Sequence, residues 1–412
     1  MPPPPVLDTL PNGLRIVLAP DGNAESVTYG VFVASGSRHE SDEMAGVSHF
    51  IEHMLFKGTE RRSQLELSRR IEGCGGNFNA WTGEEGTCFY ARVPHERMRT
   101  AVDVISEMFT SPAFDPGEFA RERNVVLQEL KMYDDEPDNV AAENLSRLLF
   151  PGNAVGRPVI GNEAALRSLT ADAMREYHKK AYVPAATIAI LVGRFDCADA
   201  KKAIEDALGN LPEGKPLQYV RVRKTKRLKN REITVKREIQ QAQIAIGYRT
   251  FAANDPRRYA LLLFDAIMGR GMTSRLFQRV REKAALSYDI HSVLQAFDDT
   301  GFWGVSAGVD APRLEKALDV IRRELDLIRT KAPSAAELAR IKDYITGNFR
   351  IGLERLQSRL VLHLSSVSVF GRIVPVEEIV GSLSRVTRED ILDVAQTVLD
   401  DNLRATSLVL PK

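Results

Sequence analysis

His49-Phe-Ile-Glu52-His53 is the segment of this chain whose residue types and spacing are best suited to chemistry. It lies in an apolar stretch, Val47 to Phe56, that Lys57-Gly58 closes as a helix C-terminus is closed. On a helix His49 and His53 are i and i+4, so both imidazoles leave one face about a turn apart. Two nitrogens so placed can bind a single metal ion at about 2.0–2.1 Å, the length of a zinc–histidine bond. Glu52 projects from the same side and can reach a water on that ion without being a ligand. The order is that of the inverted zincins, H-x-x-E-H. Two histidines on an apolar helix can equally be core residues with satisfied hydrogen bonds, and spacing leaves that alternative open. A catalytic zinc usually takes three protein ligands and a water. The helix expected from Pro116 to Tyr133 carries Glu122 and Glu129 on one face, with Val125, Val126 and Leu130 forming its apolar side. By spacing alone, charges at the margin of an apolar stripe explain these carboxylates equally well.

The elements that must position these residues occur twice. Ala101-Val-Asp-Val-Ile105 recurs as Ala317-Leu-Asp-Val-Ile321, and Glu118-Phe-Ala-Arg121 as Glu337-Leu-Ala-Arg340. Thr170 opens a helical pattern that leads to a strand, Thr187 to Leu191; Thr387 opens a similar one before Ser407 to Leu410. Three pairs in one order at nearly constant spacing indicate a duplication, and the domain-sized period makes it a pair of similar domains. The expected division is residues 1–210, a linker at 211–232, and residues 233–412. Leu211-Pro-Glu-Gly-Lys-Pro216 and the basic run Arg221 to Arg231 fit a solvated connector. Strands are expected at Tyr29–Val33, Cys88–Val93, Ile188–Val192, Gln243–Tyr248 and Phe302–Ser306, and a further helix from Pro94 to Ser111. Mixed strands and consecutive long helices favour α+β. Aligned on the repeat, Ala260, Leu263 and Phe264 stand opposite His49, Glu52 and His53, and Asn348 opposite Glu129. The second half keeps the helices and drops every metal residue.

Composition narrows the function classes. Of 412 residues, 44% are hydrophobic and 27% charged, which is ordinary for a soluble globular protein. With 56 basic and 55 acidic residues the chain lacks the overall excess of a nucleic-acid binder, so no nucleic-acid partner is expected. The longest apolar runs are strand-sized, so no membrane span is expected. Three cysteines, Cys74, Cys88 and Cys197, are too few for a disulfide scaffold. Met1-Pro-Pro-Pro-Pro5 has neither a basic n-region nor an apolar h-region, which gives a bacterial cytoplasmic location as the expectation.

His49-Phe-Ile-Glu-His-Met-Leu-Phe-Lys-Gly-Thr59 with Glu129 further on resembles the pitrilysin-type (M16, inverzincin) zinc peptidases. The nearest likeness is to bacterial peptidases similar to the mitochondrial processing peptidase, from Leu10-Pro-Asn-Gly-Leu-Arg-Ile16 to the C-terminus. The resemblance implies a zinc-dependent metalloendopeptidase with one Zn2+ per chain, held by His49, His53 and Glu129. It implies Glu52 as general base and Glu122 as the residue that orients a ligand. It implies that Asn79, Ala80, Trp81 and Thr82, in Gly75-Gly-Asn-Phe-Asn-Ala-Trp-Thr82, form an edge strand that holds the peptide backbone by strand addition. Locally that stretch reads equally as a glycine-softened turn into a strand. Arg281 and Tyr288 match a pair aimed at the scissile carbonyl; both can donate hydrogen bonds to an oxyanion. By residue type alone they are a surface arginine and a half-buried strand tyrosine. The fold implied is two homologous domains, each a mostly antiparallel sheet packed with helices, forming half of a clamshell chamber. The chain would then act as a homodimer, or beside a paralogous chain, with Arg281 and Tyr288 reaching the partner's site.

Two other readings compete. Some relatives with decayed motifs are peptide-binding or scaffold subunits, although this chain keeps His49, Glu52, His53 and Glu129. Two histidines and a carboxylate also suit non-haem iron, but an adjacent glutamate base fits hydrolysis better.

Overall fold

The computed structural model describes residues 3–412, so Met1 and Pro2 of the N-terminal segment lie outside the described residues. The chain forms two compact units. The first comprises the residues up to Leu130 together with Arg157–Val220 and Gly352–Val374. The second comprises Lys131–Gly156, Arg221–Ile351 and Pro375–Lys412. A single cut near residue 210 therefore does not separate them: each half of the chain gives one helix to the sheet of the other half. Residues 211–231 between the halves carry neither helix nor strand.

In the first unit six strands are ordered β1-β2-β6-β3-β5-β4. They are β1 (Val6–Thr9), β2 (Arg15–Pro20), β3 (Ser26–Val33), β4 (Asn77–Thr82), β5 (Thr87–Pro94) and β6 (Thr187–Gly193). Only β2 and β6 run parallel. The apolar run Ile188–Val192 is buried along its whole length because both faces of β6 are covered. Ala189 and Leu191 join the core beneath the helices Val47–Leu55 and Met98–Thr110. Ile188, Ile190 and Val192 pack on the other face against Leu356, Leu360, Leu364 and Val367 of the helix Leu356–Phe370.

The second unit repeats the plan with β7 (Glu232–Arg237), β8 (Gln241–Thr250), β9 (Ser287–Ala296), β10 (Gly301–Asp310) and β11 (Arg404–Pro411), in the order β7-β11-β8-β10-β9. Its one parallel pair is β7–β11, the counterpart of β2–β6. Here the helix Pro137–Leu149 covers the outer face through Ala141, Leu145 and Leu149. Each covering helix comes close at a glycine of the central strand. A Cβ on Gly30 would meet Leu360 Cδ1 at 2.9 Å, and one on Gly247 would meet Leu145 and Leu149 at 3.0 Å. Thr170 and Thr387 cap equivalent helices, each hydroxyl accepting from the third backbone N–H. Fold class and duplication are thus as expected.

Two local expectations shift. Pro94 ends β5 in extended backbone, paired with Ser26, and the helix starts at Met98 after a short turn at His95–Arg97. The helix from Pro116 runs to Asp135, and Val125 is exposed where the apolar side was expected. At about 100° per residue Val125 lies about 60° round the helix from Glu122, outside the stripe of Phe119, Glu122, Val126 and Leu130 that is buried. Among the described residues no helix is long and apolar enough to cross a membrane, and the three cysteines are free.

Candidate metal centre

Two helices meet at the metal motif, and the stretches of both that carry it belong to the first unit. The histidine helix, Val47–Leu55, is fixed by Phe50, which is fully buried and stacked on Phe119 of the helix Pro116–Asp135 at 4.8 Å between ring centroids. Phe50→Ala should cost about 3–5 kcal/mol of stability, the usual range for a buried phenylalanine. Urea unfolding followed by circular dichroism checks this; an unfolding curve unchanged from wild type would mean that the stack does not join the two helices.

The start of the histidine helix is held by Glu40, which the sequence reading missed. Its carboxylate accepts from the Gly46 and Ser48 N–H groups, both at 2.8 Å, at the positive end of the helix dipole. Burial nevertheless pushes its pKa up to about 7. No periodic signal marks Glu40, because its partners are loop and first-turn backbone.

His49 and His53 leave the same face, with ring centroids 4.7 Å apart. Glu129 reaches both: Oε1 lies 3.9 Å from His49 Nε2, and Oε2 lies 3.4 Å from His53 Nε2. One donor atom from each of the three residues lies within 4.8 Å of the others, the only such cluster among the described residues. Tetrahedral zinc with bonds of about 2.1 Å holds its donors about 3.4 Å apart, so the set fits one ion with small adjustments. Two imidazoles and a carboxylate are also a donor set that zinc accepts. His49 Nε2 is the nitrogen that faces Glu129, and Nδ1 is buried with no hydrogen-bond partner among the described residues.

Electrostatics favour the metal-binding form at two of the three residues, His49 and Glu129, while the two carboxylates around His53 favour its protonated form. Burial lowers the His49 pKa to about 4, helped by His53 and opposed by Glu129, so this imidazole is neutral at neutral pH. Burial also pulls His53 down, but hydrogen bonds to Glu129 and Glu122 outweigh it and leave the pKa raised. The Glu129 carboxyl is held below its ordinary value, first by the His53 hydrogen bond.

Glu122 is 5% exposed and its Oε1 lies 2.9 Å from His53 Nδ1. The contact assigns the proton to Nδ1 and turns Nε2 towards Glu129. Lys57, also missed, places its ammonium 2.6 Å from the other oxygen, Glu122 Oε2. Glu52 stands outside the donor cluster. Its carboxylate accepts a hydrogen bond from the Thr82 hydroxyl, and burial raises its pKa against that bond.

Thr82 ends β4, which pairs with β5 on one side and is the edge of its sheet. Along it Asn79 and Trp81 are exposed, and Ala80 and Thr82 half-buried. The Ala80 N–H donates to Asn79 Oδ1 at 2.8 Å. In the second unit Arg281 lies on a π-helical turn, Phe277–Lys283. Its guanidinium carbon is 4.8 Å from the ring centroids of both Phe277 and Tyr288. Tyr288 is 78% exposed, more open than the half-buried strand position expected: it is the second residue of the edge strand β9, where the pairing with β10 passes from Ser287 to Asp289 and skips it. Ala260, Leu263 and Phe264 fill the corresponding helix with buried apolar side chains, and Asn348 is exposed.

Comparison with known proteins gives the same outline. The profile of the Insulinase (Peptidase family M16) family matches residues 15–163, and that of the peptidase M16 inactive domain matches residues 168–345. The uncharacterized zinc protease YmxG of Bacillus subtilis is 31% identical over 98% of this chain and 97% of its own length. An uncharacterized zinc protease of Streptomyces coelicolor is 34% identical over 95% of this chain and 86% of its own. A protease from Helicobacter pylori of known crystal structure superposes with a TM-score of 0.93 at 22% identity, covering all of both chains. A peptidase M16 inactive domain from Pseudomonas fluorescens gives 0.90 at 18% identity, over 100% of this chain and 98% of that one. With near full-length relatives above 30% identity and the fold repeated throughout, the chain belongs to the M16 peptidase family.

Proposed function

We infer that this protein is a zinc-dependent metalloendopeptidase with one ion per chain, held by His49, His53 and Glu129. The observation that carries the reading is the convergence of those three donors beside a glutamate hydrogen-bonded to a free edge strand. When bound, zinc supplies a Lewis acid that lowers the pKa of water to about 7 and polarises a carbonyl. Glu52 takes the proton of the attacking water as the C–O bond forms, and passes it to the leaving amine as the C–N bond breaks. Thr82 keeps the Glu52 carboxylate turned for that exchange. The unpaired edge of β4 receives an extended peptide through its backbone, with Asn79, Ala80, Trp81 and Thr82 along the contact. Glu122 holds His53 in the tautomer that leaves Nε2 free. Peptides are the substrates in this reading and a second copy of the chain the partner, whose Arg281 and Tyr288 donate to the oxyanion.

Purified protein should cleave a quenched fluorescent basic peptide, lose that activity on chelation, and regain it with stoichiometric zinc. No cleavage by zinc-loaded protein across a varied peptide pool would replace this reading with a peptide-binding or scaffold subunit, which the inactive-domain match over residues 168–345 also allows.

A further inference from the structure

His49, His53 and Lys57 follow one another at i, i+4 and i+8, so they line one face of the histidine helix and the turn that ends it. Glu122 and Glu129 stand opposite, seven residues apart on the facing helix. The five side chains alternate: Glu129 meets His49 and His53, and Glu122 meets His53 and Lys57. Glu122 is buried in the apolar stripe with Phe119, Val126 and Leu130. A carboxylate so placed needs a partner for each oxygen, since an unpaired buried charge is strongly unfavourable. His53 Nδ1 serves Oε1, and the Lys57 ammonium serves Oε2 at 2.6 Å. Lys57 is itself held near, its N–H donating to the Met54 carbonyl at 3.0 Å.

Resting on the zinc reading above, we propose that Lys57 is a positioning residue of the metal centre, which fixes Glu122 so that His53 presents Nε2 to the ion. The ammonium does not touch the donor atoms; it acts through Glu122. Two physical readings of Lys57 then predict opposite signs. As a mere positive charge near a cation it would weaken zinc binding, and its removal would tighten it. As a positioning group it strengthens binding, and its removal weakens it.

The test measures the zinc dissociation constant of full-length apoprotein by competition with a chromophoric chelator, at fixed pH and ionic strength. Glu122→Gln should weaken binding about 10–100-fold, the usual effect of changing a ligand's hydrogen-bond partner. Lys57→Met should weaken it about 10-fold, within the same range. Lys57→Arg, which keeps a cationic donor, should recover most of the loss. In the Glu122→Gln background Lys57→Met should change the constant little, since the residue through which it acts is already altered. Tighter binding by Lys57→Met, or an equal further loss in that background, would overturn the proposal. If Lys57→Met does not fold, failure of Lys57→Arg to match wild type within a few-fold overturns it as well. A wild-type protein that binds no zinc removes the reading beneath, a result distinct from any change confined to the Lys57 variants.

Discussion

Replacing Glu52 by glutamine is expected to lower kcat for peptide cleavage by about 10²–10⁴-fold, the usual contribution of a general base, while zinc content stays at the wild-type level. The two halves of that expectation come from different observations. Glu52 lies outside the donor set of His49, His53 and Glu129, so its charge is not needed to hold the ion. The substitution keeps shape, and the glutamine carbonyl can still accept from the Thr82 hydroxyl that now bonds to the carboxylate. The ability to take a proton is what disappears. Steady-state kinetics beside metal analysis of the same preparations reads both quantities. Full activity in the variant would remove Glu52 from the chemistry. Joint loss of zinc and activity would make it a ligand and require a different assignment of the base.

The metal motif was legible because it is local. Two histidines at i and i+4 need only a helix to share a face, and the sequence marks both that helix and its end. The duplication was legible for a related reason: recurring helix patterns and the caps at Thr170 and Thr387 survive in each copy. What escaped depends on distant contacts. That Pro137–Leu149 covers the second sheet and Leu356–Phe370 the first is set by which apolar face meets which, and no periodicity within a helix carries its destination. The side of Val125 was misjudged because it sits one step beyond the buried stripe, where a helical wheel blurs. Glu40 finds its role through the backbone of Gly46 and Ser48, and Thr82 meets Glu52 across 30 residues of chain. Lys57 could have been found, because it continues the His49, His53 spacing by another turn. The signal was present, but a lysine closing a helix has the simpler explanation of favouring its negative end.

Glu129 is where the sequence left two readings equally placed, and Glu129→Gln separates them. As a charge at the margin of an apolar stripe, its loss would shift stability within about 0.5 kcal/mol and leave metal binding alone. As the third ligand, its replacement by a neutral amide should weaken zinc binding by at least about 100-fold, beyond the 10–100-fold typical of changes one shell further out. The geometry favours the second outcome. The carboxylate is half-buried and lies between two imidazole nitrogens, with one oxygen towards each. A surface charge serving only solubility gains nothing from that position, and without an ion it would leave His53 as its main partner. The second half of the chain supplies the contrasting case: where the histidines give way to buried Ala260 and Phe264, the matching helix position is Asn348, exposed and uncharged. A carboxylate at this position therefore accompanies the histidines in the half that has them and is absent from the half that lacks them. Zinc competition on Glu129→Gln decides the matter, since an affinity within a few-fold of wild type would return the residue to the margin of its helix and leave the ion one protein ligand short.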